Sequence, residues 1–357
     1  MTLVAVDCHM VGQQAAGDAG NARYAETLLA AMAATAADRD AVASLVATPE
    51  GASRLERFGR TIGVTAADVP RLARTAPRAL SDLGADAAVF TYVGPGWSPC
   101  PVLLAVHDAT FMTHPEWLSA RARMVLRGLV PRAARRARVV LALSETARDD
   151  VVAALRIDPG KVRVVSPHPA AVFSPDEGAA ERVRARFGLG RYVLAVGDLG
   201  PRKNLGGLGT AIRSLGAGRP DLALVGRPGP GGERIAAEAG GRWLGHVDDD
   251  GLADLYRAAA VTAYPSLYEG FGLPVVEAMA CGSPVVASDR GAIPEVAGDA
   301  AVLVEPSARG IAAGIRAALE PDMAERLRAA GPERAARYTQ EGMGRAAWAA
   351  AGVAVGR

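Results

Sequence analysis

The chain has 357 residues, half of them hydrophobic, 5% aromatic and 22% charged. That suffices for two domains and excludes a disordered chain or a small disulfide scaffold. Forty basic side chains against thirty-eight acidic ones leave +2, too balanced for a dedicated nucleic-acid binder, so no nucleic-acid partner is expected. No apolar run reaches the length of about 18 residues that a membrane span needs. The opening MTLVAVDCHM lacks a basic leader before its apolar stretch, so no signal peptide is expected. Three scattered cysteines, Cys8, Cys100 and Cys281, suit a reducing compartment better than a disulfide framework or a zinc site. The expectation is a cytoplasmic protein.

Short apolar runs alternate with helical patterns. In the first half, strands are expected at Thr2–Asp7, Val42–Ala47, Ala87–Tyr92, Val102–His107 and Val139–Leu143, with helices at Ala22–Ala34 and Glu145–Leu155. The second half adds strands at Tyr192–Gly197, Leu222–Gly226, Val261–Tyr264, Pro284–Ala287 and Ala301–Val304, with helices at Leu205–Leu215 and Leu252–Ala259. Most strands are continuously apolar rather than alternating, as parallel strands covered on both faces are. Repeated strand–helix–strand units mean doubly wound α/β sheets. The series breaks at Ser166–Gly190, where Pro167, Pro169 and Pro175 mark a hinge. This gives an N-terminal Rossmann-like domain over residues 1–170 and a C-terminal one over 171–335. Two such domains joined by a hinge are expected to face each other across a cleft at the carboxyl ends of their strands, where ligands of these sheets bind.

Four segments carry chemistry. Gly197–Asn204 joins a strand to a helix: glycines turn the backbone, the helix start attracts anions, and Arg202 and Lys203 supply a fork and a point charge suited to a diphosphate. Neither a Walker loop nor GxGxxG is present. In Tyr264–Ala280 a glycine-punctuated loop enters a helix whose first residue is expected to be Pro274. The amides of Phe271, Gly272 and Leu273 would face the crevice, with Glu269 in the loop and Glu277 in the first helical turn. Carboxylates are poor phosphate ligands but good acceptors from vicinal hydroxyls, a combination that suggests a sugar. His107 is expected at the carboxyl end of a buried strand. Asp18–Tyr24 places Gly20 before a helix, a weaker sign of ligand approach. His9, His114, His168 and His246 lack ligand-like spacing and read as structural or supporting. Asp248–Asp250 reads as a helix cap rather than a metal site. The stretch Arg121–Arg138 holds seven arginines and no acid, interleaved with Trp117, Leu118, Met124, Val125, Leu126 and Leu129. It reads as a solvated surface helix, with docking on an anionic membrane or acceptor as the alternative.

Together these segments resemble the family 4 glycosyltransferases, retaining enzymes of the GT-B fold, over nearly the whole chain. Glu269–Pro306 has the family's Glu, seven residues, Glu; PRKN (Pro201–Asn204) matches its diphosphate-binding turn; VHDATFMTHPEW (Val106–Trp117) matches the segment with its active-site histidine; GNARY (Gly20–Tyr24) resembles its first glycine loop. The resemblance implies that Arg202 and Lys203 neutralise a leaving diphosphate and that Glu277 holds the ribose. Glu269 and the amides of Phe271, Gly272 and Leu273 would position the sugar, and His107 would contact it from the other domain. Gly20 would close over the phosphates, and Val247, after the strand Trp243–Leu244, would meet the nucleobase. It further implies a GDP-, UDP- or dTDP-sugar donor, mannose first by motif wording, a hydroxyl acceptor, no cofactor and no metal. Residues 336–357 would form a helix crossing back to the N-terminal domain. Asp198, Ala22 and the glycine-free Ser166–Pro169 depart from the family pattern. A nucleotide-sugar 2-epimerase or a silent nucleotide-sugar-binding protein are the alternatives.

Overall fold

The computed structural model describes residues 2–13, 19–228 and 232–356. Asp18 of the first glycine loop lies outside them. The chain forms two compact units. One runs through His168 and takes in the segment from Thr339 onward; the other is Pro169–Tyr338.

In the first unit, β1 (Leu3–Asp7), β2 (Ala41–Val46), β3 (Arg60–Gly63), β4 (Ala87–Thr91), β5 (Val102–Ala105), β6 (Val139–Ala142) and β7 (Val162–Val164) form one sheet. Its order is β3-β2-β1-β4-β5-β6-β7, and every pairing is parallel. Continuous Val, Ala and Leu runs fill the central strands, and a core around Leu45, Leu80, Phe90, Leu104 and Val140 seals them. β3 and β7, which the apolar pattern does not announce, are short edge strands interrupted by Arg60 and Arg163. β5 stops at Ala105, so His107 stands two residues beyond the strand rather than on it. Helix Gln340–Val355 belongs to this unit and packs on helix Ala19–Ala34, with the Trp348 indole N–H donating to the Met32 carbonyl at 2.9 Å.

The second unit contains β8 (Tyr192–Val196), β9 (Asp221–Val225), β10 (Arg242–Trp243), β11 (Val261–Tyr264), β12 (Val285–Ser288) and β13 (Val302–Val304). These are also all parallel, in the order β10-β9-β8-β11-β12-β13. Val193, Leu208, Leu224, Ile311 and Ile315 are central to its core. Within Ser166–Gly190, where the prolines suggest only a connection, a helix forms at Ala179–Phe187. The helix expected from Leu252 starts earlier, at Asp249, because Asp248 caps it by accepting from the Gly251 amide at 2.8 Å. The Asp248 carboxylate is held by Arg186 as well.

Both sheets are wound outward in two directions. In the second unit the reversal lies between β8 and β11, and in the first between β1 and β4. The loops after those strands diverge and leave a crevice at the carboxyl ends, the place where open α/β sheets bind ligands.

Candidate functional site

The β8/β11 crevice brings the adjacent Arg202 and Lys203 together with Glu269, 67 and 66 residues further along the chain. After β8 the chain turns through Gly197, whose φ of 137° suits glycine, and enters the short turn Pro201–Lys203. A Cβ on Gly197 would lie 2.7 Å from Lys203 Cε, so the missing side chain is what lets the lysine fold back beneath the loop. Asn204, in the left-handed region, ties this turn to its neighbours through Nδ2 to the carbonyls of Pro306 at 2.7 Å and Pro265 at 3.3 Å. The Leu267 amide donates to the Arg202 carbonyl at 2.8 Å and locks the β8 and β11 loops together.

Glu269 lies between the two cations. Lys203 Nζ donates to its Oε1 at 2.7 Å, and Arg202 Nη1 donates to its Oε2. Arg202 Nη1 also donates to the Tyr268 carbonyl at 3.0 Å. Lys203 Nζ further donates to the Tyr264 hydroxyl at 2.6 Å and stands 4.4 Å from that ring's centroid. Burial alone would raise the Glu269 carboxyl; Arg202 and Lys203 overcome it and hold the pKa at about 2. The same burial lowers Lys203, against the opposing pull of Glu269. Two cations against one carboxylate leave a net +1 in direct contact, and the Arg202 side chain, 32% exposed, reaches solvent.

Helix Leu273–Ala280 follows. Gly272 is its N-cap at φ 96°, and a Cβ there would strike Ile293 Cδ1. The helix therefore begins at Leu273, and Pro274 is its second residue rather than its first. This moves Glu277 out of the first turn into the second, where it is buried among the helix's core-facing residues and accepts from the Tyr256 hydroxyl at 3.2 Å. Glu277 and Glu269 thus have different partners, Tyr256 for one and the cation pair for the other. Phe271 is buried edge-to-face against Tyr338 at 5.1 Å. Val247 is buried beside the start of helix Asp249–Ala258, where its Cγ1 closes against Gly251. Neither Tyr256 nor Tyr264 was assigned a role from sequence. Pairings across 21 and 61 residues leave no spacing signal.

In the first unit, His107 is enclosed by Tyr24 and Tyr92, ring centroids 4.5 and 5.3 Å away. Its Nε2 is buried and, among the described residues, has no hydrogen-bond partner. Burial lowers its pKa to about 4 despite the neighbouring Asp108, whose carboxylate is instead engaged by the Thr110 amide at 2.9 Å. The imidazole is therefore neutral around pH 7. A proton-NMR titration of its ring signals should give a midpoint near 4, well under the ordinary 6.5; a midpoint near 6.5 would show that the ring is not enclosed. Because the folded value is depressed, the neutral ring's contribution to stability is complete above the ordinary value and is lost as pH falls toward 4.

Gly20, exposed near the start of helix Ala19–Ala34, has, among the described residues and apart from its chain neighbours and its own helix backbone, no atom within 4 Å of the place a Cβ would occupy. Packing within the described chain does not account for a glycine there. At the carboxyl end of β1, Asp7 accepts from buried Arg71, and its Oδ1 lies 3.0 Å from His9 Nδ1. Asp68 binds Arg71 from the other side at 2.6 Å. His9, read as structural or supporting, belongs to a polar cluster at the first unit's own crevice, with Tyr92 at the neighbouring end of β4. Neither Arg71 nor Asp68 was singled out in the sequence.

Two parallel Rossmann-like units, the second bearing a cation pair and a helix start at its topological switch point, define a protein of the GT-B glycosyltransferase class. Residues 20–168 match the family model described as Glycosyltransferase Family 4, and residues 190–321 the one described as Glycosyl transferases group 1. The chain belongs to this glycosyltransferase family. O-antigen chain mannosyltransferase B of Escherichia coli is 31% identical over 230 residues, which is 60% of this chain and 60% of that protein. MMP alpha-(1->4)-mannosyltransferase of Mycolicibacterium hassiacum is 38% identical over 190 residues, 49% of this chain and 44% of its own length. The matches thus span only about half of these relatives. Sucrose-phosphate synthase from Thermosynechococcus elongatus superposes with a TM-score of 0.78 at 20% identity, covering 97% of both chains. HepE of Anabaena, in complex with UDP-glucose, does so with 0.73 at 18% identity, over 98% of this chain and 99% of that one. At those identities the likeness concerns the fold.

Proposed function

We propose that the protein transfers a hexose, mannose first, from a nucleoside-diphosphate sugar to a hydroxyl acceptor, with retention of configuration and without a metal. The observation that carries this reading is the Arg202–Glu269–Lys203 cluster at the β8/β11 switch point. Breaking the bond between the anomeric carbon and the phosphate oxygen leaves the electron pair on the diphosphate, and the acceptor oxygen forms the new bond as its proton passes to the departing diphosphate. Fixed cations at the leaving group lower that barrier because they need no reorganisation as the charge develops. Arg202 and Lys203 are those cations in our reading, joined by the amides of Phe271, Gly272 and Leu273 at the helix start. They supply the charge neutralisation for which other enzymes employ a divalent ion.

Glu269 takes the sugar hydroxyls in this scheme, Glu277 with Tyr256 the ribose, and the backbone at Val247 the base. Gly20 leaves room for the phosphates. His107, neutral and with Nε2 unpartnered among the described residues, takes part in transfer as a hydrogen-bonding group rather than as a cation. The Asp7–His9–Arg71 cluster offers both donors and acceptors to an acceptor hydroxyl. Mannose is supported by the two mannosyltransferase relatives, and a uridine donor by the HepE complex. The three cysteines, all free and buried, support a reducing compartment and hence a cytoplasmic location.

Calorimetry with GDP, UDP, dTDP and ADP, each with and without Mg²⁺, tests the donor. One nucleotide is expected to bind at least tenfold more tightly than the others, with the same affinity in both buffers. A requirement for Mg²⁺ would overturn the metal-independent mechanism, and no binding by any of the four would overturn the donor site. Release of free nucleotide from the matching sugar donor should depend on added acceptor, which separates transfer from epimerisation.

A further inference from the structure

The first unit carries a second concave surface, which reaches the opposite end of its sheet. A groove of about 1270 Å³ opens where the amino ends of β5, β6 and β7 meet helix Ala120–Arg136 and the loop after β4. His107 follows the carboxyl end of β5; the groove meets the same strand at Val102, its amino end. The groove continues past Leu104, Val93, Val69 and Leu72 and so borders the first unit's crevice, but it shares no lining residue with His107 or the Asp7–His9–Arg71 cluster.

Two properties set it apart. Among the described residues the exposed large apolar side chains are Val69, Trp97, Met124, Val125, Leu129 and Val353. Four of them, Val69, Trp97, Leu129 and Val353, line this groove, and Val125 lies one turn before Leu129 on the same helix. Trp97 is 67% exposed, an unusual position for the largest apolar side chain unless something covers it. The other property is charge. Arg132, Arg135, Arg136, Arg138 and Lys161 line the groove against one carboxylate, Asp158, a net of +4 from five cations less one anion. Asp158 is itself engaged by the Gly160 amide at 2.8 Å. On the helix, Val125, Leu129, Arg132 and Arg136 follow one another at spacings of three and four residues, so apolar and cationic side chains share a single stripe.

We infer that this face docks the protein on an anionic lipid surface. A soluble anion would use the cations but leave Trp97, Leu129, Val69 and Val353 in water, and an apolar partner would leave the arginines without counter-charge. Only an occupant that is anionic at its surface and apolar beneath satisfies both sets. Indole rings favour the interfacial layer of a bilayer, and arginine stems lie along apolar surface while their heads stay with phosphates. Among the described residues no helix is long and apolar enough to cross a membrane, so attachment would be peripheral, by partial insertion and charge.

Cosedimentation with vesicles of equal parts phosphatidylglycerol and phosphatidylcholine, against phosphatidylcholine alone, tests this. The full chain should bind the anionic vesicles, lose binding as salt rises, and show a blue-shifted tryptophan emission. Each arginine removed should weaken partition about fivefold, so Arg132→Ala, Arg135→Ala and Arg136→Ala together should cost roughly a hundredfold. Trp97→Phe should abolish most of the emission shift, and Trp97→Ala with Leu129→Ala should weaken binding with every charge in place. Both sets lie outside the donor site, and circular dichroism and thermal unfolding at the parent's values should show the first unit folded, which keeps this test independent of the transferase reading. Equal binding to neutral vesicles, no binding at low salt, or binding unchanged in both variant sets would overturn the assignment. So would self-association or capture of an acidic protein through this face in place of the vesicles.

Discussion

Lys203→Met should lower kcat by about two to three orders of magnitude, the usual cost of removing one preorganised donor from a developing anion. Methionine keeps the unbranched stem that passes beneath Gly197 and lies near the Tyr264 ring, and it deletes only the ammonium group. Glu269 remains paired with Arg202, so no buried carboxylate is stranded and the variant should fold. The kinetic pattern matters as much as the size. If Lys203 acts on the leaving diphosphate as charge builds, kcat and kcat/KM fall together, whereas loss of simple donor affinity would raise KM and spare kcat. Initial rates over a range of donor concentrations separate the two. A kcat within a few-fold of the parent's would remove Lys203 from the chemistry.

The residues of this cluster were legible in the sequence, but their mutual contacts were not. Arg202, Lys203 and Glu269 stand out because cations after a strand and carboxylates in a glycine-rich loop are each unusual. What brings them together is the adjacency of β8 and β11, two strands separated by β9 and β10 along the chain. Strand order in a parallel sheet is a long-range property that no local pattern encodes. The long apolar strands were readable because both of their faces are covered. β3, Arg60–Gly63, was not, since an edge strand needs no continuous apolar run. The helix Leu273–Ala280 shows how small offsets matter. Proline favours a first helical position, yet Gly272 supplies the cap, the start moves to Leu273, and Glu277 turns inward toward Tyr256. His107 was found by its address near the end of β5, but its aromatic enclosure by Tyr24 and Tyr92 comes from two other segments.

Glu269→Gln should produce the largest loss of stability of any single change at the site, together with an unusual split in function. The parent carboxylate is buried and held at a pKa of about 2 against an ordinary 4.5, which corresponds to roughly 3 kcal/mol of favourable interaction in the folded state. A depressed carboxylate contributes in full above the ordinary value and loses the contribution as pH falls through the folded one. The difference between parent and variant in denaturant unfolding should therefore be complete near neutral pH and shrink steadily from about 4.5 toward 2. Other carboxylates are common to both proteins and cancel in the comparison. Asp198 is one of them and acts on Lys203 through its field. Function should move in two directions. Deleting the carboxylate raises the charge of the contacting groups from +1 to +2 and frees Arg202 and Lys203 from their competitor, so a bare nucleoside diphosphate should bind several-fold more tightly. Sugar transfer should fall sharply, because the acceptor of the sugar's hydroxyls is gone. Tighter diphosphate with lost turnover would show that Glu269 serves the sugar while restraining the cations. Weaker diphosphate would mean that the carboxylate is needed to hold those cations in place, and its role would then be structural alone.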